Sequence, residues 1–420
     1  MIRNLIAALC IFFLGSSLLL AQGKRLWVLS APGEITEYDA ATFAQKQSVR
    51  VPAEAVGSPQ NFLVNHLGQM LFAPSSSLPL SADDIAVAGN VWFWNGRFAT
   101  TLAREVTRTT AQTGSNLEIN ESASIPYLGS DGVHLFWFAN QARRLQRDGV
   151  DLTTRTAWSA RQTDLGGLSR QELAAVELPE CSCPTGSCED TCPYGQVWVP
   201  DAGVGDFFLM TEFVAGRDQP VYKATALYRE SAGKWTATAI DPPLRRVLDA
   251  ANSSAILEAI PDTGCCGWAN RSDDQTLLHL QGRTIKVFDE LSAYDNPDYD
   301  VSFYTETGKL SPDLKNVALA IVATSQPNTP IQLAEQGQAN PEESLRIRKA
   351  LTELPAVEVK SIEETAKRVA FLPHATLVGW INEQEILIVE GHLLVAYNVA
   401  SGAQRKSIIH VEDRAHVFLR

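Results

Sequence analysis

Catalytic signatures are the first thing this sequence lacks. Its 420 residues contain no G-x-S-x-G nucleophile elbow, no H-E-x-x-H zinc helix, no P-loop and no dinucleotide fingerprint, so no reaction that is written into a short contiguous motif finds support. The seven histidines, His66, His134, His279, His374, His392, His410 and His416, stand singly. His134 lies in an apolar run, where a core imidazole with its hydrogen bond satisfied is the expectation. Charge is sparse as well: 20% of the residues are charged, and the net charge of −13 argues against nucleic acid and anionic lipid surfaces as partners. Beyond the first 21 residues no apolar run approaches the length of a membrane span.

Those first residues are the exception. "MIRN" carries one positive charge, and the uncharged stretch Leu5 to Ala21 ends on a small residue. This pattern predicts a secretory signal peptide over residues 1–21, with a soluble protein, secreted or periplasmic, left after cleavage. The alternative is an uncleaved N-terminal anchor that holds the domain outside the cytoplasm.

Export decides how the cysteines are read. Of the 7 Cys, Cys10 leaves with the signal, which leaves Cys181, Cys183, Cys188, Cys192, Cys265 and Cys266. An even number in an oxidising compartment predicts three disulfides, whose connectivity the spacing does not choose. Zinc at the cluster is the weaker alternative, because "CSC" and "CC" crowd the thiols more closely than the usual C-x2-C knuckle. A redox switch at the vicinal pair Cys265 and Cys266 is another.

Short strands fill the rest. "RLWVLSAPGEITEYDA" and "AVAGNVWFWNGRFATTLA" read as hairpins, the second turning at Asn95-Gly96. "SDGVHLFWFANQARRLQRDG" opens at Asp131-Gly132, runs apolar through Phe138 and turns at Asn140. Strand clusters centred near residues 30, 93, 136, 210, 280, 318 and 388 number about seven, a spacing that suits four-stranded blades of roughly 40 to 50 residues with insertions. Trp92, Trp94, Phe136, Trp137, Phe138, Trp198, Phe207 and Phe208 are then core residues of sheets buried on both faces. The alternative use for them is a carbohydrate-stacking platform.

Three segments interrupt the pattern: insertions are expected at about 166–196, 242–275 and 326–369. The first has Ser169 and Glu172 in capping-box spacing ahead of a short helical run. The second starts a helix near Pro243. The third predicts a helix from Pro341 to about Leu354, with Leu345, Ala350, Leu351 and Leu354 on or near one face.

"YNVASG" near the C-terminus, "EYDAATF" at 37 to 43 and "SPDLKNVALA" at 311 to 320 resemble the blade turns of WD40-like and TolB-like propellers. Leu314 stands where the SPDGK-type turn has glycine. The resemblance implies an all-β propeller of about seven blades, six or eight being the alternatives, formed by residues 22–420 as a single domain. End-to-end closure implies that the strand around Leu26 to Leu29 pairs with C-terminal strands.

The functional expectation is a secreted, non-enzymatic binding or scaffold module that takes a protein, peptide or glycan ligand on one face. A propeller hydrolase or lyase with a site at the central channel is the alternative. No cofactor is expected. Asp295, Asp298 and Asp300 offer oxygen ligands for calcium without EF-hand spacing, and a solvated turn is the preferred reading. The sequons at Asn120, Asn252 and Asn270 matter only in a glycosylating host.

Overall fold

The computed structural model describes residues 24–31, 33–51, 61–64, 69–73, 91–94, 99–102, 106–128, 134–164, 170–177, 181–182, 193–198, 207–215, 220–231, 234–240, 246–251, 254–259, 275–280, 283–287, 296–299, 301–325, 328–338, 340–363, 367–412 and 417–419. Within them the chain is mostly strand, in seven antiparallel sheets that follow one another along the sequence. The first holds β1 (Arg25–Ala31), β2 (Glu34–Asp39) and β3 (Gln45–Arg50). The second holds β4 (Asn61–Val64), β5 (Met70–Ala73), β6 (Val91–Trp94) and β7 (Ala99–Leu102). The third is larger: β8 (Val106–Thr113), β9 (Asn116–Leu128), β10 (His134–Arg147), β11 (Val150–Asp164), β12 (Arg170–Glu177) and the short β13 (Cys181–Ser182).

The fourth comprises β14 (Pro193–Trp198), β15 (Phe207–Ala215), β16 (Pro220–Ser231) and β17 (Lys234–Ile240); the fifth, β18 (Arg246–Ala251), β19 (Ser254–Ala259), β20 (Gln275–Leu280) and β21 (Arg283–Val287). The sixth has β22 (Val301–Leu310), β23 (Asn316–Ser325), β24 (Ala356–Ser361) and β25 (Lys367–Pro373), with helices α1 (Thr329–Gln336) and α2 (Pro341–Thr352) between its second and third strands. The seventh has β26 (Ala375–Trp380), β27 (Glu385–Glu390), β28 (Leu393–Asn398) and β29 (Gln404–His410). A last strand, β30 (Val417–Leu419), returns to the first sheet and pairs with β1, Leu26 opposite Leu419 and Val28 opposite Val417.

The sheets pack face to face, and strand alternation sends successive residues into different cores. In β23, Val317, Leu319 and Ile321 join Leu248 and Ile256 of the fifth sheet, while Ala318 and Ala320 face Leu377, Ile386 and Ile388 of the seventh. Leu387, Leu394 and Ala396 of the seventh meet Leu26 and Val28 of the first. Trp27, on the opposite face of β1, packs with Met70 and Trp94 of the second. The first, sixth and seventh sheets are therefore buried on both faces, the packing of a propeller-like all-β fold.

One local unit recurs in three sheets. The backbone N–H groups of Ala40, Ile362 and Val399 donate to Lys24, Lys315 and Gln384 respectively, at 3.1, 2.8 and 2.8 Å. Each donor follows the third strand of its sheet, and each acceptor precedes the second; in the first sheet, β30 takes the place of the first strand. In two of the three the turn is the same Asx turn. Asp39 Oδ1 accepts from the N–H groups of Ala41 and Thr42 and the hydroxyl of Thr42; Asn398 Oδ1 accepts from Ala400, Ser401 and the Ser401 hydroxyl. The left-handed position is Gly402 (φ 72°) in one and Phe43 (φ 59°) in the other. The "EYDAATF" and "YNVASG" likeness is thus a likeness of backbone hydrogen bonding. In the "SPDLK" turn Ser311 Oγ accepts from Lys315 and Asn316, and Leu314 holds φ 58° where a glycine was expected.

Several local expectations are corrected. Arg170–Glu177 and Arg246–Ala251 are strands where short helices were expected, because each is held in antiparallel register along a neighbour, β11 and β19 respectively. Pairing across a sheet overrides the local capping signal. β10 does not turn at Asn140, which is paired on both sides, with Ala123 and Trp158. Trp94 pairs with Ala99, so four residues separate β6 from β7 in place of a two-residue turn. In α2 the buried stripe runs through Ser344, Ile347 and Ala350, which turns Leu345 outward to 70% exposure.

Candidate binding face

Polar groups on the first strands of three consecutive sheets are used to join those sheets. Buried Asp249 of β18 accepts the Leu310 N–H of β22 at 2.8 Å and sits 3.5 Å from the Lys309 ammonium. Trp380 of β26 donates its indole N–H to the Lys309 carbonyl at 2.9 Å. Gly308 permits the close approach: a Cβ there would lie 3.1 Å from Ile256 Cδ1 and 3.2 Å from Leu319 Cδ2. Charge and indole are consumed by structure, and among the described residues no three His, Cys, Asp or Glu are grouped to hold a metal ion.

Two features stand out from the repeating framework. The first belongs to the third sheet, where β9, β10 and β11 run far past the end of β12. β12 pairs with residues 157–163 of β11, whereas β10 and β11 stay paired to the Arg147–Val150 turn. Seven further residues at about 3.3 Å each make an arm that projects roughly 20 Å, with β8 along one edge and β13 against β11.

Local chemistry explains why the arm is ordered without a deep core. Its tips are two-residue turns, Gly114-Ser115 with Gly114 at φ 63°, and Asp148-Gly149 at φ 53° and 80°, the doubly left-handed geometry that suits the twist of a hairpin. On one face Glu121, 6% exposed, lies between Arg144 at 2.8 Å and Arg108 at 3.3 Å, beside buried Ile119 and Ala142. On the other, Arg143 donates to Glu118 at 2.8 Å, and that guanidinium, with help from Asn120, holds the Glu118 carboxyl below its usual range. Leu145, 37% exposed, stands between Arg143 and Arg147 on this outer face.

The second feature is the α1–α2 pair. Asn340 caps α2: its Oδ1 accepts from Glu343 N–H while its amide donates to Glu343 Oε2, with Pro341 at the first helical position. Ser344 and Arg348 both donate to the Leu333 carbonyl at 3.0 Å, closing the end of α1. Leu333, Ile347 and Ala350 bury into the core shared by the fifth and sixth sheets, and Asn296 donates to Glu343 from the 3-10 turn Pro297–Tyr299. Ile331, at 57%, and Leu345 are left exposed. β8 pairs only with residues 116–123 of β9, and it is β9 that packs against β4 and β5 of the second sheet. Counted from β9, with β8 as an added edge strand, the arm tip holds the same place as the helix pair, the connection between second and third strands. A sequence signal for the arm existed in the Asp148-Gly149 turn and the threonine-rich flanks, and it went unread.

Of the residues singled out by sequence, Cys181 lies in β13 opposite Thr154. Cys183, Cys188, Cys192, Cys265 and Cys266 fall outside the described residues, as do Asp295, Asp300, Asn252, Asn270 and the segment 1–21. Asp298 is exposed in the 3-10 turn, its N–H donating to Asn296 Oδ1. Asn120 is half-buried in β9 and donates to Glu118. His392 and His410 come together as a stacked pair with ring centroids 5.5 Å apart, both exposed; His374 is exposed elsewhere, at φ 57°. No helix among the described residues is long and apolar enough to cross a membrane.

No protein family and no curated protein sequence matches the chain. Among solved structures it is similar to dipeptidyl peptidase 4 of Porphyromonas gingivalis, at 8% identity and a TM-score of 0.44 over 92% of this chain and 58% of that one. It is also similar to apo AztD from Citrobacter koseri, at 10% identity and 0.39 over 93% and 95%, and to the dihydro-heme d1 dehydrogenase NirN, at 11% and 0.26 over 90% and 76%. The chain spans little more than half of the peptidase. Likenesses at these scores carry no weight for fold or activity, and the architecture rests on the sheets themselves.

Proposed function

We propose that the seven sheets form one closed seven-bladed propeller, with β30 as the inner strand of the first blade, and that this propeller is a non-enzymatic binding or scaffold module working outside the cytoplasm. The observation that carries the functional reading is topological. In a closed ring the first strands of all blades run the same way, so every connection between second and third strands emerges on one face. With β9 as the first strand of the third blade and β8 added outside it, the β10–β11 tip is such a connection, and so is the α1–α2 pair. They therefore rise from the same face and present exposed Leu145, Ile331 and Leu345 to a protein partner. The Asx turns at Asp39 and Asn398 and the "SPDLK" turn emerge on the opposite face, and their geometry supports kinship with TolB-like repeats. The six mature cysteines are read as three structural cystines.

Site-specific photo-crosslinking in the native host tests this. A photoreactive residue at Leu145 or Leu345 is expected to capture a protein other than the chain itself, while one at Asp313 or Ala400, on the opposite face, captures none. Capture from positions 313 and 400 alone, or none from 145 and 345, overturns the reading.

A further inference from the structure

We propose that the protein self-associates through the arm, β8 of one copy pairing antiparallel with β8 of a second. β8 ends the strand order of its sheet, so among the described residues its outer edge has no neighbour, and Arg108 through Thr113 are all exposed. Edges left free in water are normally guarded by cations or bulges. The outer strands β3, β25 and β29 have both, Lys46 and Arg50, Lys367 and Arg368, Arg405 and Lys406, each strand with a register shift against its partner; β17 and β21 carry cations without a shift, and β7, only four residues long, has neither. β8 pairs with β9 without a shift, and its single cation, Arg108, is drawn across the strand onto Glu121.

The choice of a second copy follows from what the edge displays. An antiparallel pair of identical strands has its two-fold axis perpendicular to the sheet and midway between the two copies of one residue, because only then do matching faces align. Centred on Thr109, the axis sets Arg108 opposite Thr110; centred on Thr110, it sets Arg108 opposite Gln112. Both registers place threonine against threonine at the axis, a favourable cross-strand pair, and neither opposes like charges. A foreign acidic strand would find one cation on this edge, Arg108, and that one is already paired with Glu121 at 3.3 Å.

Sedimentation velocity across a concentration series, followed by cysteine scanning of β8, tests the pairing. The wild-type chain is expected to reach twice its monomer mass, and Thr110→Lys to weaken association at least about tenfold with an unchanged circular dichroism spectrum. Thr109→Cys or Thr110→Cys, whichever lies on the axis, should form a disulfide-linked dimer, whereas Thr113→Cys should not, its two copies being about 20 Å or more apart. A monomer at every concentration, or a dimer that neither axial cysteine links, overturns the proposal. Photo-capture of a foreign protein at Leu145 by a monomeric chain would sink this inference and leave the partner-binding reading standing.

Discussion

Replacing Asp249 should separate the cost of an unmet hydrogen bond from the value of a charge. The carboxylate side chain is 7% exposed and accepts the Leu310 N–H at 2.8 Å; the Lys309 ammonium is 3.5 Å away on a side chain that is 23% exposed. Alanine leaves a buried amide without an acceptor and removes a charge-assisted bond, together about 2–3 kcal/mol. Asparagine keeps an oxygen in place for Leu310 and gives up only the partly solvated pair with Lys309, worth about 0.5–1 kcal/mol. With a urea m-value of about 2–3 kcal/mol/M, Asp249→Ala should lower the denaturation midpoint by about 1 M and Asp249→Asn by no more than about 0.5 M. The readout is intrinsic tryptophan fluorescence at fixed thiol oxidation. If alanine is neutral, or asparagine costs as much as alanine, the reasoning that this acceptor joins the fifth and sixth sheets fails.

The recurring turns predict an exchange: Asn398→Asp and Asp39→Asn should each stay within about 0.5 kcal/mol of wild type, since either oxygen can accept, whereas Asn398→Ala should cost about 1–2 kcal/mol in the same urea assay. The Asp39 carboxyl is held below its usual range chiefly by its bond to Lys46, with Thr42 assisting against burial. A carboxyl lowered in the folded state contributes stability above its unfolded pKa and loses it as the pH falls through the folded value, so the window closes below about pH 4. Unfolding free energies of Lys46→Gln and wild type from urea titrations should accordingly differ by at most a few tenths of a kcal/mol at neutral pH and converge in acid; a gap that widens in acid would refute the sign. Intact mass of the exported protein should start at Gln22 and show six thiols alkylated only after reduction, and labelling on denaturation alone would discard the three cystines.

Much of the framework was legible because it repeats short chemistry. The Gly391-His392 turn, the Asx turns after Asp39 and Asn398, and strands apolar on both faces such as β23 each have a local cause in their own residues. The α2 helix was readable from Pro341 at its first position, while its Asn340 cap was not read. What misled were segments whose local pattern is outvoted by a neighbour: Arg170–Glu177 and Arg246–Ala251 look helical alone and are strands because β11 and β19 offer them a full ladder. The arm was missed for a related reason. Asn140 reads as a turn in isolation, yet partners on both sides carry β10 straight through it. Which loops share a face is set by strand direction across the whole set of sheets, and no window of sequence contains that.

The pairing of β1 with β30 joins residues almost four hundred positions apart, Val28 with Val417. Held against a fully flexible intervening chain, such a contact would cost about 5 kcal/mol of loop entropy, more than three residue pairs return. In the proposed ring, stacking of the intervening sheets makes the two ends neighbours, and the same pairing is then nearly free. It should therefore form last and be stable only when everything between is folded. A row of sheets that could otherwise fray from either end, as open repeat arrays do, would then melt as one unit, with the shortest strand in the first sheet setting its cooperativity.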